Sequence, residues 1–150
     1  MRHIPIILAL FGILLPGNCL ADGYANLQVE KLLVSSTSYN GQNLSYPETD
    51  KPEVTVAVVT FPPGSSTGWH EHPVPVYAYL LEGEITVELQ DGTHHQFHKG
   101  EPIVEVTNLQ HNGRNTGKTD TRMVVFYTGA VGTPNVIRPE TATILGQTKP

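Results

Sequence analysis

The sequence is poor in the residues that would commit it to several common function classes. It has one cysteine, Cys19, which lies in the N-terminal apolar segment. If that segment is removed, the mature chain has no disulfides, no thiolate ligands and no cysteine nucleophile. Basic residues number nine against fourteen acidic ones, and no basic cluster is present. Such a chain is a poor nucleic-acid binder, and it has no basic amphipathic helix to dock on a membrane. No stretch carries a convincing helical period, and there is no internal repeat or low-complexity block. The longest apolar run, Ile4 to Leu15, is shorter than the roughly 20 residues a membrane span requires.

That apolar run has the form of a secretory signal. Arg2 provides a positive start, Pro16-Gly17-Asn18 breaks the run, and Cys19-Leu20-Ala21 offers small residues at the positions a signal peptidase reads. Cleavage after Ala21 is expected, giving a signal peptide over 1–21 and one domain over 22–150. Asn18 disfavours a lipoprotein reading, because a lipobox places Gly or Ala there. The expected location is periplasmic or secreted, with no membrane attachment after cleavage. The net charge of the chain is −5, and loss of Arg2 with the leader takes it to −6. Small-molecule ligands are the expected partners.

What remains reads as strand. Val54 to Phe61 is β-branched on both faces, as expected for a strand covered on both sides. Ile85, Val87 and Leu89 alternate with polar residues, the period of a half-buried strand, and Asp91-Gly92 follows as a hairpin turn. Ile103 to Val106 and Arg122 to Thr128 are further apolar strands. Short strands punctuated by Gly and Pro predict an all-β antiparallel sandwich or barrel. Ser35 to Pro52 reads as a long loop over one mouth, and the tail from Gly129 as a wrap on the outside. A sheet face bearing Tyr77 and Tyr79 is the candidate surface for a homodimer.

Within this pattern His70-Glu71-His72 stands out. Side chains at i and i+2 of an extended segment share a face, so both imidazoles can converge on one point. A third histidine from a neighbouring strand, His111, would complete a facial metal site. Glu71 alternates with them and should face away. His94, His95 and His98 surround the Asp91-Gly92 hairpin and read as a solvated turn. Trp69, beside His70, is a candidate pocket residue.

Gly64, His70, His72 and Gly83 match the spacing of the first motif of the cupin superfamily, and Gly100, His111 and Asn115 that of the second. The chain therefore resembles a small conserved-barrel cupin, which implies a double-stranded β-helix, or jelly-roll, fold. The resemblance also implies metal ligation by His70, His72 and His111. It departs from the family at three places: Val76 stands where a glutamate is usual, Val106 where a proline is usual, and Asn108 where a glycine is usual. A plain three-histidine site would leave the metal charge uncompensated and favour an anionic ligand, as in some similar cupin dioxygenases that lack the glutamate. Alternatively, another carboxylate fills the gap. Glu105 is the candidate ligand or general base, against the reading that it is a solvated outer-face residue.

The metal is expected to be a divalent transition ion (Fe, Zn, Cu, Mn or Ni), since imidazole suits several of these alike. The resemblance points to an exported metal-binding cupin acting as a dioxygenase or isomerase on a small anionic, oxygen-rich substrate. The alternative is a module that binds a small ligand or metal without turnover.

Overall fold

A computed structural model describes residues 27–139. The expected signal peptide, Cys19 included, lies outside these residues. The compact unit begins at Lys31, and residues 27–30 have no regular structure.

Seven strands form: β1 (Pro52–Phe61), β2 (Val76–Glu82), β3 (Glu84–Leu89), β4 (His94–His98), β5 (Pro102–Val104), β6 (His111–Arg114) and β7 (Thr121–Ala130). They build a four-stranded sheet in the order β1-β7-β2-β5 and a three-stranded sheet in the order β4-β3-β6, all neighbours antiparallel. The fold is all-β and antiparallel, as the alternating pattern predicts, and it is the double-stranded β-helix that the resemblance implies.

The period-two pattern decides which side chains meet between the sheets. Val76, Ala78 and Leu80 of β2 are buried while Tyr77, Tyr79 and Leu81 are half-buried on the other parity. Ile85, Val87 and Leu89 of β3 face them, with Met123 and Val125 of β7. Each such side chain contributes roughly 1.5–3 kcal/mol by leaving water.

β1 corrects one expectation. It is not covered on both sides: Val54, Val56 and Val58 are 60%, 55% and 58% exposed. β1 is an edge strand whose only strand partner is β7, and the described residues place nothing on its outer face. Its β-branched composition reflects strand propensity here, not burial.

Two irregular segments position the site. Residues 64–70 run beside β6 as an incomplete strand, with Thr67 N donating to Gly113 O (2.9 Å) and His70 and His111 exchanging both backbone bonds (3.0 and 2.9 Å). After β7 the chain reverses at residues 131–133 and passes back over the same end of the barrel as a strap. Glu71 and Ile137 exchange backbone hydrogen bonds there, both 2.9 Å. The tail expected to wrap the outside thus crosses the mouth. The loop over 35–52 lies along β5: Tyr39 N donates to Val104 O (3.0 Å), and the Gln42 side chain bonds the backbone of Thr107 in both directions (2.8 Å each).

Candidate metal centre

Three histidines converge on the inner face at this mouth. His70 and His111 are a hydrogen-bonded cross-strand pair, so their side chains stand on one face. His72 follows two residues on. Ring centroids are 4.4 Å apart for His70–His111, 4.8 Å for His70–His72 and 5.0 Å for His72–His111. The donor atoms lie within 4.8 Å of one another, and all three residues are buried. Among the described residues no other group of three candidate ligands comes together.

Each ring is oriented by a backbone carbonyl. His70 Nδ1 is 2.9 Å from Gly68 O, His72 Nδ1 2.7 Å from Asn135 O, and His111 Nδ1 2.9 Å from Leu109 O. A carbonyl only accepts, so each Nδ1 must carry the proton and donate. Each Nε2 is then left with a free lone pair, the state a metal requires. Burial holds the rings neutral. It pushes His70 down to about 4, helped by His111 and Arg138, and His72 down to about 3, helped by His111 and His70. Burial also lowers His111. Three neutral imidazoles with bare nitrogens turned together are a donor set that fits a divalent transition ion.

Glu105 joins them. β2 and β5 pair Tyr77 with Val104, and Glu105 N continues the ladder by donating to Val76 O at 2.9 Å. Glu105 therefore stands cross-strand from Val76, the position where the family's glutamate is absent. Its side chain is 12% exposed, and Oε2 lies 3.7 Å from His111 Nε2. That is too long for a hydrogen bond. It is close to the roughly 3–3.5 Å between two donors that share an ion about 2.1 Å from each. Oε2 is buried and has no hydrogen-bond partner among the described residues. Burial raises the carboxyl to about 7. The solvated outer-face position does not describe this residue.

The motif departures are accommodated locally. Asn108 adopts φ 55°, a left-handed conformation that Asn tolerates better than most non-glycine residues. Its N–H donates to His72 O at 2.8 Å, tying the turn before His111 to the other ligand segment. Val106 is fully buried as an apolar residue. Asn115 plays a structural part, with Nδ2 donating to Phe61 O and Thr119 O (2.8 Å each) and Oδ1 accepting from Gly117 N (2.9 Å).

The histidines open into a cavity of about 160 Å³, walled chiefly by Val, Ile, Phe and Met side chains. Tyr127, Val136 and Arg138 are among the lining residues that sequence reasoning did not place at the site. Tyr127 packs edge-on to His72 at 5.6 Å, and its hydroxyl is raised by burial and by Glu105. The alternation Met123, Val125, Tyr127 along β7 could have placed it inside. Val136 and Arg138 come from the strap, which has no such pattern. Trp69 is not among the lining residues. Glu71 is half-buried beneath the strap. On the hairpin, His94 and His98 are exposed, while His95 packs against Tyr39 at 4.8 Å.

The cupin domain family (Cupin_2) matches residues 57–127, the stretch that carries the three histidines and Glu105. No curated protein sequence matches the chain. Among solved structures, a cupin domain protein from Bordetella pertussis Tohama I is 25% identical with a TM-score of 0.47, over 57% of this chain and 91% of that one. A predicted oxalate decarboxylase from Thermotoga maritima is 29% identical with a TM-score of 0.44, over 48% and 63%. The DMSP lyase DddQ from Ruegeria pomeroyi DSS-3 shares the fold at 19% identity and a TM-score of 0.51, over 59% of this chain and 44% of the lyase. The family match and the two motifs agree on a cupin domain over residues 57–127, which carries, in His70, His72 and His111, a group able to hold a metal.

Proposed function

We propose that this protein is an exported, metal-dependent cupin enzyme acting on a small anionic substrate, by isomerisation or oxygenation. In this reading His70, His72 and His111 are the ligands, and Glu105 supplies the carboxylate that Val76 does not. The observation that carries it is the position of Glu105. The carboxylate stands one strand across from the family's usual site, on the same inner face, buried and without a hydrogen-bond partner among the described residues.

A divalent transition metal bound there would supply a Lewis acid and, if it were iron or copper, a centre reactive toward oxygen. The chain's own residues do the rest. Three carbonyl-locked imidazoles orient the ligand atoms before anything binds, so little ordering remains to be done on binding. If Glu105 stands beside the metal instead of on it, its buried carboxyl, raised to about 7 in metal-free protein, can take a proton and return it at neutral pH. The Tyr127 hydroxyl, on the same cavity wall, is the second group that can donate. The apolar lining excludes water and strengthens every charge interaction inside.

The test is metal content by elemental mass spectrometry on untagged protein purified from the exported fraction. Near-stoichiometric metal is expected in the wild type, with loss in His70→Ala and in His111→Ala. Retention should fall in Glu105→Gln and return in the swap Val76→Glu/Glu105→Val, which moves the carboxylate back one strand. Full metal in Glu105→Gln would remove Glu105 from the ligand set and leave it as the proton carrier. No metal in the wild type, even after reconstitution, would sink the enzyme reading and leave a ligand-binding barrel.

A further inference from the structure

The strap brings a cation to the site. Residues 131–138 lie beyond the stretch that matches the cupin family, and three contacts fix them over the mouth. These are the paired Glu71–Ile137 backbone bonds, the Asn135 carbonyl on His72 Nδ1, and Arg138 Nη1 donating to Thr67 O at 3.0 Å. Arg138 thereby lines the cavity beside His70, close enough to disfavour a charge on that ring. A guanidinium has five N–H donors in a planar fork, and the Thr67 bond uses one. Arg138 is also exposed to solvent.

Apart from Glu105, Tyr127 and Thr67, the remainder of the cavity is apolar. A space of about 160 Å³ is the size that takes a benzene-sized guest. A ligand that fits must therefore place its charge at one end, where the triad and Arg138 are, and a compact hydrocarbon body against the valine, isoleucine and methionine side chains. A dianion with charge at both ends would strand one of them on that wall, at high desolvation cost.

We propose that Arg138 is the anion-binding residue of this cavity and that its ligand is a small monocarboxylate with a compact apolar body. The inference narrows the substrate class of the function proposed above and rests on that reading for its catalytic meaning. The guanidinium meets the carboxylate in a charge-assisted, fork-like contact, on the rim side of the histidines. The strap thus sets specificity for charge, and the barrel wall sets it for shape.

Benzoate is a suitable probe, with benzamide as its neutral counterpart. Binding of each would be measured by calorimetry to wild type, Arg138→Gln and Arg138→Lys, in chelator-treated and metal-loaded protein. Metal affinity would be followed by chelator competition and folding by thermal melting. We expect benzoate to bind at least tenfold more tightly than benzamide in wild type. Arg138→Gln should abolish that preference in the metal-free form and reduce it in the metal-loaded form, Arg138→Lys should keep part of it, and metal affinity should change less than twofold. A guanidinium that only staples the strap would lower the melting temperature and leave the benzoate-to-benzamide ratio unmoved, which would overturn the proposal. So would a wild type that binds no benzoate. The metal-free arm reads Arg138 even if no metal is ever found, and metal retention reads the triad even if Arg138 fails.

Discussion

At the scale of single residues, the buried ionisable groups of the site pull stability in opposite directions with pH. In metal-free protein, His70 and His72 stay neutral down to about 4 and about 3, while unfolded imidazoles protonate near 6.5. The unfolded state gains protons first, so these two groups lower stability as pH falls from about 6.5 toward about 3. Glu105 does the reverse. Its folded carboxyl sits at about 7 against 4.5 unfolded, so its proton is held while the unfolded chain loses it, and stability falls as pH rises from 4.5 to 7. Glu105→Gln should remove only the second effect. In chelator-treated protein, denaturation at pH 5 and at pH 8 should show wild type losing roughly 2–3 kcal/mol relative to the variant over that interval. Parallel profiles would mean that Glu105 is not held neutral in the fold. The histidines were legible because residue type, i+2 spacing and two motifs agree. The role of Glu105 was not, because a carboxylate in an apolar run reads equally as an inward or an outward residue until strand register is known.

At the scale of elements, register and turn geometry do the positioning. Gly83, between β2 and β3, has φ 78°, and a Cβ there would stand 2.5 Å from Thr121 Oγ1 and 2.8 Å from Asp120 O. The hydroxyl it would strike is bonded to the backbone of Glu84 at both ends (2.6 and 3.1 Å), so it has little room to yield. Gly83→Ala should cost roughly 3 kcal/mol or more, from left-handed strain plus the clash. Gly92→Ala has a similar φ of 83° but open space around it, and should cost roughly 1 kcal/mol. Chemical denaturation of the two variants compares them directly, and equal losses would show that φ alone matters at Gly83. The strands themselves were readable from alternation. The strap was not, because Asn135 acts on His72 through its backbone carbonyl, and a carbonyl leaves no mark on residue choice.

At the scale of the whole molecule, the open face of the four-stranded sheet is the part of the surface that asks for a partner. Val54, Val56, Val58 and Phe126 are exposed on it, beside half-buried Tyr77 and Tyr79. β1 is also a long edge strand with no charged residue after Glu53, a kind of edge that soluble proteins cover or break. A second copy of the chain is the expected cover. Sedimentation velocity should find a dimer in wild type, and Val56→Lys should convert it to monomer without loss of the fold. A wild-type monomer at high micromolar concentration would remove this expectation. Sequence reasoning picked out Tyr77 and Tyr79 on this face but misjudged β1, because β-branched residues mark strands whether or not both of their faces are buried.

The tie between His72 and Asn135 spans 63 positions of sequence, and it sets an order in time. A chain that emerges N-terminus first, from a ribosome or through a membrane, presents both ligand segments before residue 135 exists to orient one of them. Until the last stretch arrives, His72 has no fixed tautomer and Arg138 has no place. The site thus waits on residues that follow both ligand segments in the chain. Metal captured by a partly emerged chain meets its donors before the Asn135 carbonyl has oriented one of them.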